Sequence, residues 1–312
     1  MDVTLLALLR ELQDRGTVTA VAEATGKSPS AVSQQLRTLQ RQTGVQLVER
    51  VGRGVQLTDA GRALAASSVR ISTAIAEAEA TWSAYRGEAT GQVNIAVFYS
   101  AAELLMPGLL TRVAAFPGLT IHIDDRDVSQ DDFAALAADH DIVIAHRSDD
   151  VLPPERSGLA VVPLLREPLD VALPYGHRLA ANSTVSPQDL SGENWIGVPE
   201  GFPLDRVLGS LSAQVGEAAQ IVHRTTHLPL TEKLVAAGHG IALLPRHTSR
   251  ERAEGSFVLL PLSDLRAGRH IEALMRPDHA ARRAVRLVLR ELVAEAAAVD
   301  AVADAPVASA PR

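Results

Sequence analysis

Glycine and proline divide the N-terminal part of this chain so finely that only small helices and a hairpin can form there. Gly16, Gly26, Gly44, Gly52 and Gly54 mark the breaks, and the segments between them are too short for a long helix or a broad sheet. Leu5, Leu9 and Leu12, with Leu6 and Leu8 beside them, recur at helical spacing and predict a first helix that stops at Gly16. Thr19 is placed to cap a second helix over residues 20–25, which Gly26 breaks. Ser28 then caps a third, with Pro29 at its first position, where a missing N–H leaves nothing unpaired. Val32, Leu36 and Leu39 form the apolar stripe of that helix, while Ser30, Ser33, Gln34, Arg37 and Arg41 line the opposite face. Residues 45–57 read as two β-prone runs about the turn Gly52-Arg53-Gly54. This order of helices, turn and arginine-tipped hairpin is that of a winged helix-turn-helix, with the third helix shaped for the major groove.

Charge supports that reading. The 312 residues carry 37 acidic against 30 Lys and Arg side chains, for a net charge of −7. Between residues 27 and 62 the balance reverses, with Lys27, Arg37, Arg41, Arg50, Arg53 and Arg62 against only Glu49 and Asp59. A polyanion would bind there. Aromatic residues are only 3% of the chain, too few for the stacking platforms of single-strand binders. The absence of cysteine excludes disulfides, thiolate nucleophiles, iron–sulfur clusters and sulfur-ligated zinc. His223 and His227 are four apart but flank Arg224-Thr225-Thr226 in a strand-and-loop pattern, so they do not form a helical metal pair. No HExxH, P-loop, GxGxxG or Ser/His/Asp arrangement stands in a suitable context, and no catalytic site, metal or cofactor is predicted. The N-terminal leucines are interrupted by Asp2, Arg10, Glu11 and Asp14 with no small-residue cleavage site after them, so a cytoplasmic protein with no membrane partner is expected.

Thr58 caps a long helix that runs without proline to about residue 86, and Leu64, Ser68, Ile71, Ile75, Ala78, Trp82 and Tyr85 fall at alternating spacings of four and three. A lone helix with such a seam is marginal in water, so a partner helix is implied, from a second copy of the chain. From Gly91 the pattern changes to strands alternating with helices. Strands are expected at 93–98, 120–123, 142–145, 169–173, 195–198, 220–224, 240–244, 257–262 and 270–275, with helices at 101–116, 131–139, 230–237 and 278–298. That alternation predicts α/β architecture with a largely parallel sheet. The Ala/Pro-rich residues 299–312 read as a frayed tail.

These residues resemble the LysR-type transcriptional regulators. The likeness is strongest in VTAVAEATGKSPSAVSQQLRTLQRQTGVQLVERVGRGVQLTDAG, and looser in VNIAVFYSAAELLMPGLL, DIVIA, LVAAGHGIALLP and RPDHAARRAVRLVLREL. The family usually has serine, a polar residue, then proline at the start of the recognition helix. Here Ser28-Pro29-Ser30 moves the proline forward, and Ser30 is the nearest group able to replace a base contact at that position. The resemblance implies an α + α/β multidomain chain: a winged helix-turn-helix at 1–58, a linker helix and hinge at 59–90, and an effector-binding domain at 91–298. That domain would be of the type II periplasmic-binding kind, with subdomain I at 91–163 and 269–298 and subdomain II at 164–268. Double-stranded DNA and the chain itself, as a dimer or a tetramer, are the implied partners, with RNA polymerase a candidate.

Candidate DNA contacts are Lys27, Ser28, Ser30, Ser33, Gln34, Arg37, Arg41, Arg50 and Arg53; candidate dimer contacts are Leu64, Ile71, Ile75, Ala78 and Trp82. Ligands of open α/β sheets bind beyond the carboxyl ends of strands, at helix N-termini. Four segments meet that criterion: Tyr99-Ser100-Ala101, His146-Arg147, Glu200-Gly201-Phe202 and Thr226-His227. Hydroxyl, helix dipole and cationic groups together predict a small anionic metabolite as effector. The alternative is an enzyme or small-molecule carrier with an appended winged helix, which substrate turnover would reveal.

Overall fold

The computed structural model describes residues 2–52, 54–86, 89–149, 151 and 158–303; Arg53 at the expected wing tip lies outside them. Helices α1 (Val3–Arg15), α2 (Val18–Thr25) and α3 (Pro29–Thr43) are followed by the hairpin of β1 (Val48–Val51) and β2 (Gly54–Leu57). Their apolar faces share one core built from Leu5, Leu9, Val21, Val32, Leu36 and Leu39. Helix α2 begins earlier than the sequence suggests: Thr17, not Thr19, is its cap, and the Thr17 hydroxyl accepts from Ala20 N at 3.1 Å. Ser28 caps α3 as expected, accepting from Ala31 N at 3.2 Å.

Helix α4 (Asp59–Tyr85) starts at Thr58, whose hydroxyl accepts from Gly61 N and donates to Gln46 O. It has two unlike faces. Gly61, Ala65, Ser68, Ala76 and Ala80 are buried, and these small residues let α4 lie close to α1 and to the C-terminal helices of the same chain. Ile71, Ile75, Trp82 and Tyr85 are exposed, at 39%, 42%, 61% and 84%, with Trp82 and Tyr85 stacked on one another, and Ala78 is exposed with them. Two seam members behave differently: Leu64 packs against the core of the DNA-binding domain, and Ser68 is buried.

The remainder folds around two sheets. β3 (Gly91–Val97), α5 (Tyr99–Val113), β4 (Leu119–Asp125), the short α6 (Phe133–Leu136) and β5 (Ile142–Ser148) precede the long β6 (Ala160–Pro174). Then come β7 (Asn194–Gly197), α7 (Pro203–Val215), β8 (Gln220–Arg224), α8 (Leu228–Ala236), β9 (Ala242–Pro245), α9 (Arg246–Ala253), β10 (Phe257–Leu260), β11 (Gly268–Met275), α10 (Pro277–Ala281) and α11 (Arg283–Ala303). The first sheet is ordered β4-β3-β5-β11-β6. It is mixed rather than largely parallel, because β11 runs antiparallel to both β5 and β6. β6 serves both sheets, pairing with β11 up to Pro168 and with β9 from Leu169.

Other elements depart from expectation as well. The helix expected at 131–139 shrinks to a 3-10 turn and α6. The one expected at 278–298 breaks at Arg282, whose extended backbone lets its guanidinium donate to Asp141. α11 continues to Ala303, so the first residues assigned to the tail are helical; residues 304–312 lie outside the described chain.

The DNA-binding domain is fastened to the rest by charge. Arg10 NH1 meets Asp278 Oδ1 at 2.9 Å, Arg276 NH1 donates to Glu11 Oε1 at 2.6 Å, and Arg15 NH2 donates to Asp139 Oδ1 at 2.7 Å. Burial would raise the Glu11 carboxyl, but hydrogen bonds from Arg276 and Arg15 hold it below its ordinary value.

Gly61 is required by close approach. A Cβ on Gly61 would stand 2.1 Å from the Leu47 carbonyl oxygen, so Gly61→Ala must displace backbone where the wing meets α4. The expected loss is about 1–3 kcal/mol, read as a lower denaturant midpoint for the DNA-binding domain. An unchanged midpoint would show that this carbonyl moves without cost.

Candidate nucleic-acid interface and ligand cleft

On α3, Gln34 and Arg37 are exposed and make no side-chain hydrogen bond among the described residues, while Ser30 is exposed with its hydroxyl 3.0 Å from that of Ser28. Ser33 on the same helix is half-buried. Arg41 is exposed but donates to Thr38 Oγ1 at 3.1 Å, and Lys27 is half-buried at the preceding turn. Arg50 is exposed on β1, opposite Val55 of β2. Gln34, Arg37 and Arg41 border one open depression between α3 and the start of the wing. This is a donor-rich surface without a carboxylate, suited to phosphates and base edges. The sequence reading passed over Gln40: its Oε1 accepts from both Leu47 N (2.8 Å) and Val48 N (3.1 Å), which fixes the wing against α3. Its only sequence signal is a polar residue on the edge of the apolar stripe.

The second site lies where β6 and β11 pass between the two sheets. A narrow cleft of about 40 Å³ is lined by Phe98, Tyr99, Ser100, Asp127, His146, Val198, Phe202, Leu204, Thr226, Leu228, Pro245 and Arg269. Three helices begin at its wall. Phe98, Phe202 and His227 are the cap residues of α5, α7 and α8, and none makes a side-chain cap. All four helices of the N-terminal part, by contrast, have Asp, Thr or Ser caps. Pro203 and Pro229 have no N–H, and Ala101, Asp205 and Leu230 N bond to the cap carbonyls, so what these ends offer a ligand is the few remaining first-turn N–H groups, chiefly those of α5, and the positive potential of the helix dipoles.

Of the predicted residues, Tyr99, Ser100, His146, Phe202 and Thr226 line this cleft. Ser100 is not a cap; its hydroxyl accepts from Arg269 NH2 at 2.8 Å. Ala101 is fully buried in the sheet core and reaches the site only through its place in the first turn of α5. Glu200 and Gly201 are exposed beside the cleft, not in its wall; Gly201 takes φ +90° and passes close to Ser129 of the first sheet's side. His227 stands at the rim, its ring 6.2 Å from that of Tyr99 across the gap between the two lobes.

The expected cationic groups are corrected. Arg147 points away: it donates to Glu272 Oε1 at 2.8 Å and to Val151 O at 2.7 Å, as alternation along β5 demands once His146 faces the cleft. His146 is 4% exposed and uncharged, since burial and the neighbouring Arg269 charge lower its pKa to about 3. Its Nδ1 has no hydrogen-bond partner among the described residues. The cation of the cleft is Arg269, missed in sequence because it stands at the start of a strand with no motif around it. It lies over the Phe98 ring and donates to Glu167 Oε2 through Nε (3.0 Å) and NH2 (2.6 Å). Glu167, fully buried, also accepts from Thr248 N and Oγ1 and so caps α9.

Asp127 supplies the remaining charge. Its side chain is exposed on one side and accepts no hydrogen bond among the described residues; the partial desolvation by the cleft wall, with Asp125 beside it, pushes its pKa up despite Arg269. A larger hollow of about 180 Å³ lies between α7 and β7. Its carboxylates are already engaged, Glu193 with His177 and Arg178 and Glu217 with Ser191, so it lacks the free convergent groups of the cleft.

Comparison with known proteins identifies both domains. The LysR substrate binding domain model matches residues 86–297, and the model for bacterial regulatory helix-turn-helix proteins of the lysR family matches residues 3–62. The chain is 28% identical over 283 residues to a hydrogen peroxide-inducible genes activator from Dickeya chrysanthemi, covering 89% of this chain and 90% of that one. It is 28% identical over 264 residues to the transcriptional dual regulator GltC of Bacillus subtilis, covering 84% and 86%. A full-length OxyR variant from Pseudomonas aeruginosa shares its fold, with a TM-score of 0.63 at 19% identity over 95% of this chain and 94% of that one. The curated relatives are regulators, which sets aside an enzyme with an appended winged helix. With the helix-turn-helix at one end and the substrate binding domain over most of the remainder, the chain belongs to the LysR family of DNA-binding transcriptional regulators.

Proposed function

We propose that a small anionic metabolite binds the cleft between the two lobes and changes how paired α3 helices engage operator DNA. The observation that carries this reading is the convergence of three helix N-termini without side-chain caps on one narrow cleft lined also by His146, whose buried Nδ1 has no partner among the described residues. Unpaired N–H groups and positive dipole ends favour negative charge. No resident cofactor is invoked. One relative is named for hydrogen peroxide, but this chain has no cysteine and so no thiol for peroxide to oxidise.

The reading pairs the exposed large residues of α4 with those of a second copy. Ile71, Ile75, Ala78 and Trp82 form the face that the chain itself leaves uncovered, so a dimer would bury it and set two α3 helices for two half-sites. Two such dimers joined through their effector domains would make the tetramer. The chain would act in the cytoplasm, where its DNA is, and no helix among the described residues is long and apolar enough to cross a membrane. RNA polymerase remains a candidate partner, with no surface assigned to it.

Three outcomes test these statements. Arg37→Ala should cost about 1–3 kcal/mol of operator affinity and relax preference at one position; unchanged specificity in a binding-site selection would remove Arg37 from base contact. Ile75→Glu should lower the mass in solution while leaving the circular dichroism of the chain intact, because Ile75 is already 42% exposed within one subunit; an unaltered mass would dismiss the seam. In a thermal-shift panel of small carboxylates and phosphates, at least one should raise the midpoint, and operator DNA should alter its affinity by the same factor that it alters operator affinity, about 1–3 kcal/mol. Stabilisation by uncharged or cationic compounds alone would overturn the anionic effector.

A further inference from the structure

We propose that the cleft ligand is a small zwitterion of the α-amino acid type, with its carboxylate at the helix N-termini and its ammonium group on Asp127. The inference rests on the anionic reading above and adds a second charge to it. Each charged group at the cleft must be accounted for. Arg269 is already matched by Glu167 through two hydrogen bonds, with Glu167 wholly buried, so this pair is close to neutral and has no charge to spare for a ligand. His146 is uncharged, and Arg147 is held by Glu272 away from the cleft. The positive potential is that of the α5, α7 and α8 N-termini.

Asp127 stands apart from this arrangement. It lines the same cleft, yet its carboxylate accepts no hydrogen bond among the described residues and feels Asp125 as a second negative charge nearby. A ligand that was only an anion would lie beside a carboxylate of its own sign. An ammonium group on the carbon next to the anionic group resolves this, because it donates to Asp127 from within the cleft while the carboxylate meets the positive helix ends, chiefly that of α5. The cleft holds only about 40 Å³, which favours a ligand with a short side chain. Asp127 would then determine specificity, separating amino acids from hydroxy acids of the same shape, since a hydrogen bond between charged groups matters more to binding than one from a neutral hydroxyl.

Thermal shift and calorimetry on the full chain decide the matter with three probe series: glycine, L-alanine and L-serine; the matching hydroxy acids glycolate, L-lactate and D-glycerate; and the simple amines methylamine and ethylamine. At least one amino acid should bind about tenfold or more tightly than its hydroxy acid. Asp127→Asn should bring the two within about threefold while leaving the unfolding midpoint of the free protein unchanged, since Asp127 is exposed and accepts no hydrogen bond among the described residues. Hydroxy acids binding as tightly as amino acids would overturn the ammonium site and leave the anionic reading standing. So would an amino-acid preference that survives Asp127→Asn. Binding by the amines alone would overturn the anionic reading, and binding by none of the three series would overturn both.

Discussion

The Glu167–Arg269 ion pair is the interaction on which the effector half depends. It lies where β6 and β11 pass between the lobes, and each partner reaches into one of them. Arg269 also donates to Ser100 at the start of α5, and Glu167 accepts from Thr248 at the start of α9. Removing either partner would leave a buried charge exposed to low dielectric, at a cost of about 3–5 kcal/mol. Glu167 offsets the charge of the cleft-wall guanidinium, while burial and Arg269 keep His146 uncharged, so these groups decide which charges a ligand meets.

The DNA-binding domain is held by a different kind of contact. Its own core is aliphatic, but its junction with the effector half is made by Arg10, Glu11 and Arg15 of α1 against Asp278, Arg276 and Asp139. Such a junction is directional and polar, so a rotation of one side exchanges partners or water for partners instead of opening an apolar core. α4 lies along the same junction, its small-residue face turned to its own chain and its large-residue face to solvent. A ligand that shifts the lobes would thus act on α10 and α4, the elements that stand between the cleft and α3.

The DNA-reading half was legible because its information is local. Ser28, Pro29, Gly16 and Gly44 specify caps and stops within a few residues of where they act, and the stripe Val32, Leu36, Leu39 sets which face of α3 is left for DNA. The exception, Thr17 in place of Thr19, is a choice between two threonines that both satisfy the capping rule. α4 shows where local information ends. Spacings of four and three occur on both its large-residue and its small-residue faces, and only packing assigns the second to its own chain.

The sequence by itself determined the winged helix, the long helix after it, the change to alternating strands and helices, the basic stretch from Lys27 to Arg62 and the lack of any thiol, but not α7 or α9, whose segments carry no strong local pattern. The tertiary structure decided the electrostatics of the cleft. Arg147 could be read as lying near a strand end, but which side of the sheet it faces depends on register with β11, and there it meets Glu272. Arg269 and Glu167 are 102 residues apart, so no local pattern pairs them, and with Arg269 hydrogen-bonded to Glu167, Asp127 accepts no hydrogen bond among the described residues. Charge matching across crossing strands is a property of distance in space, and the chain encodes it in residues that carry no mark of it along their length.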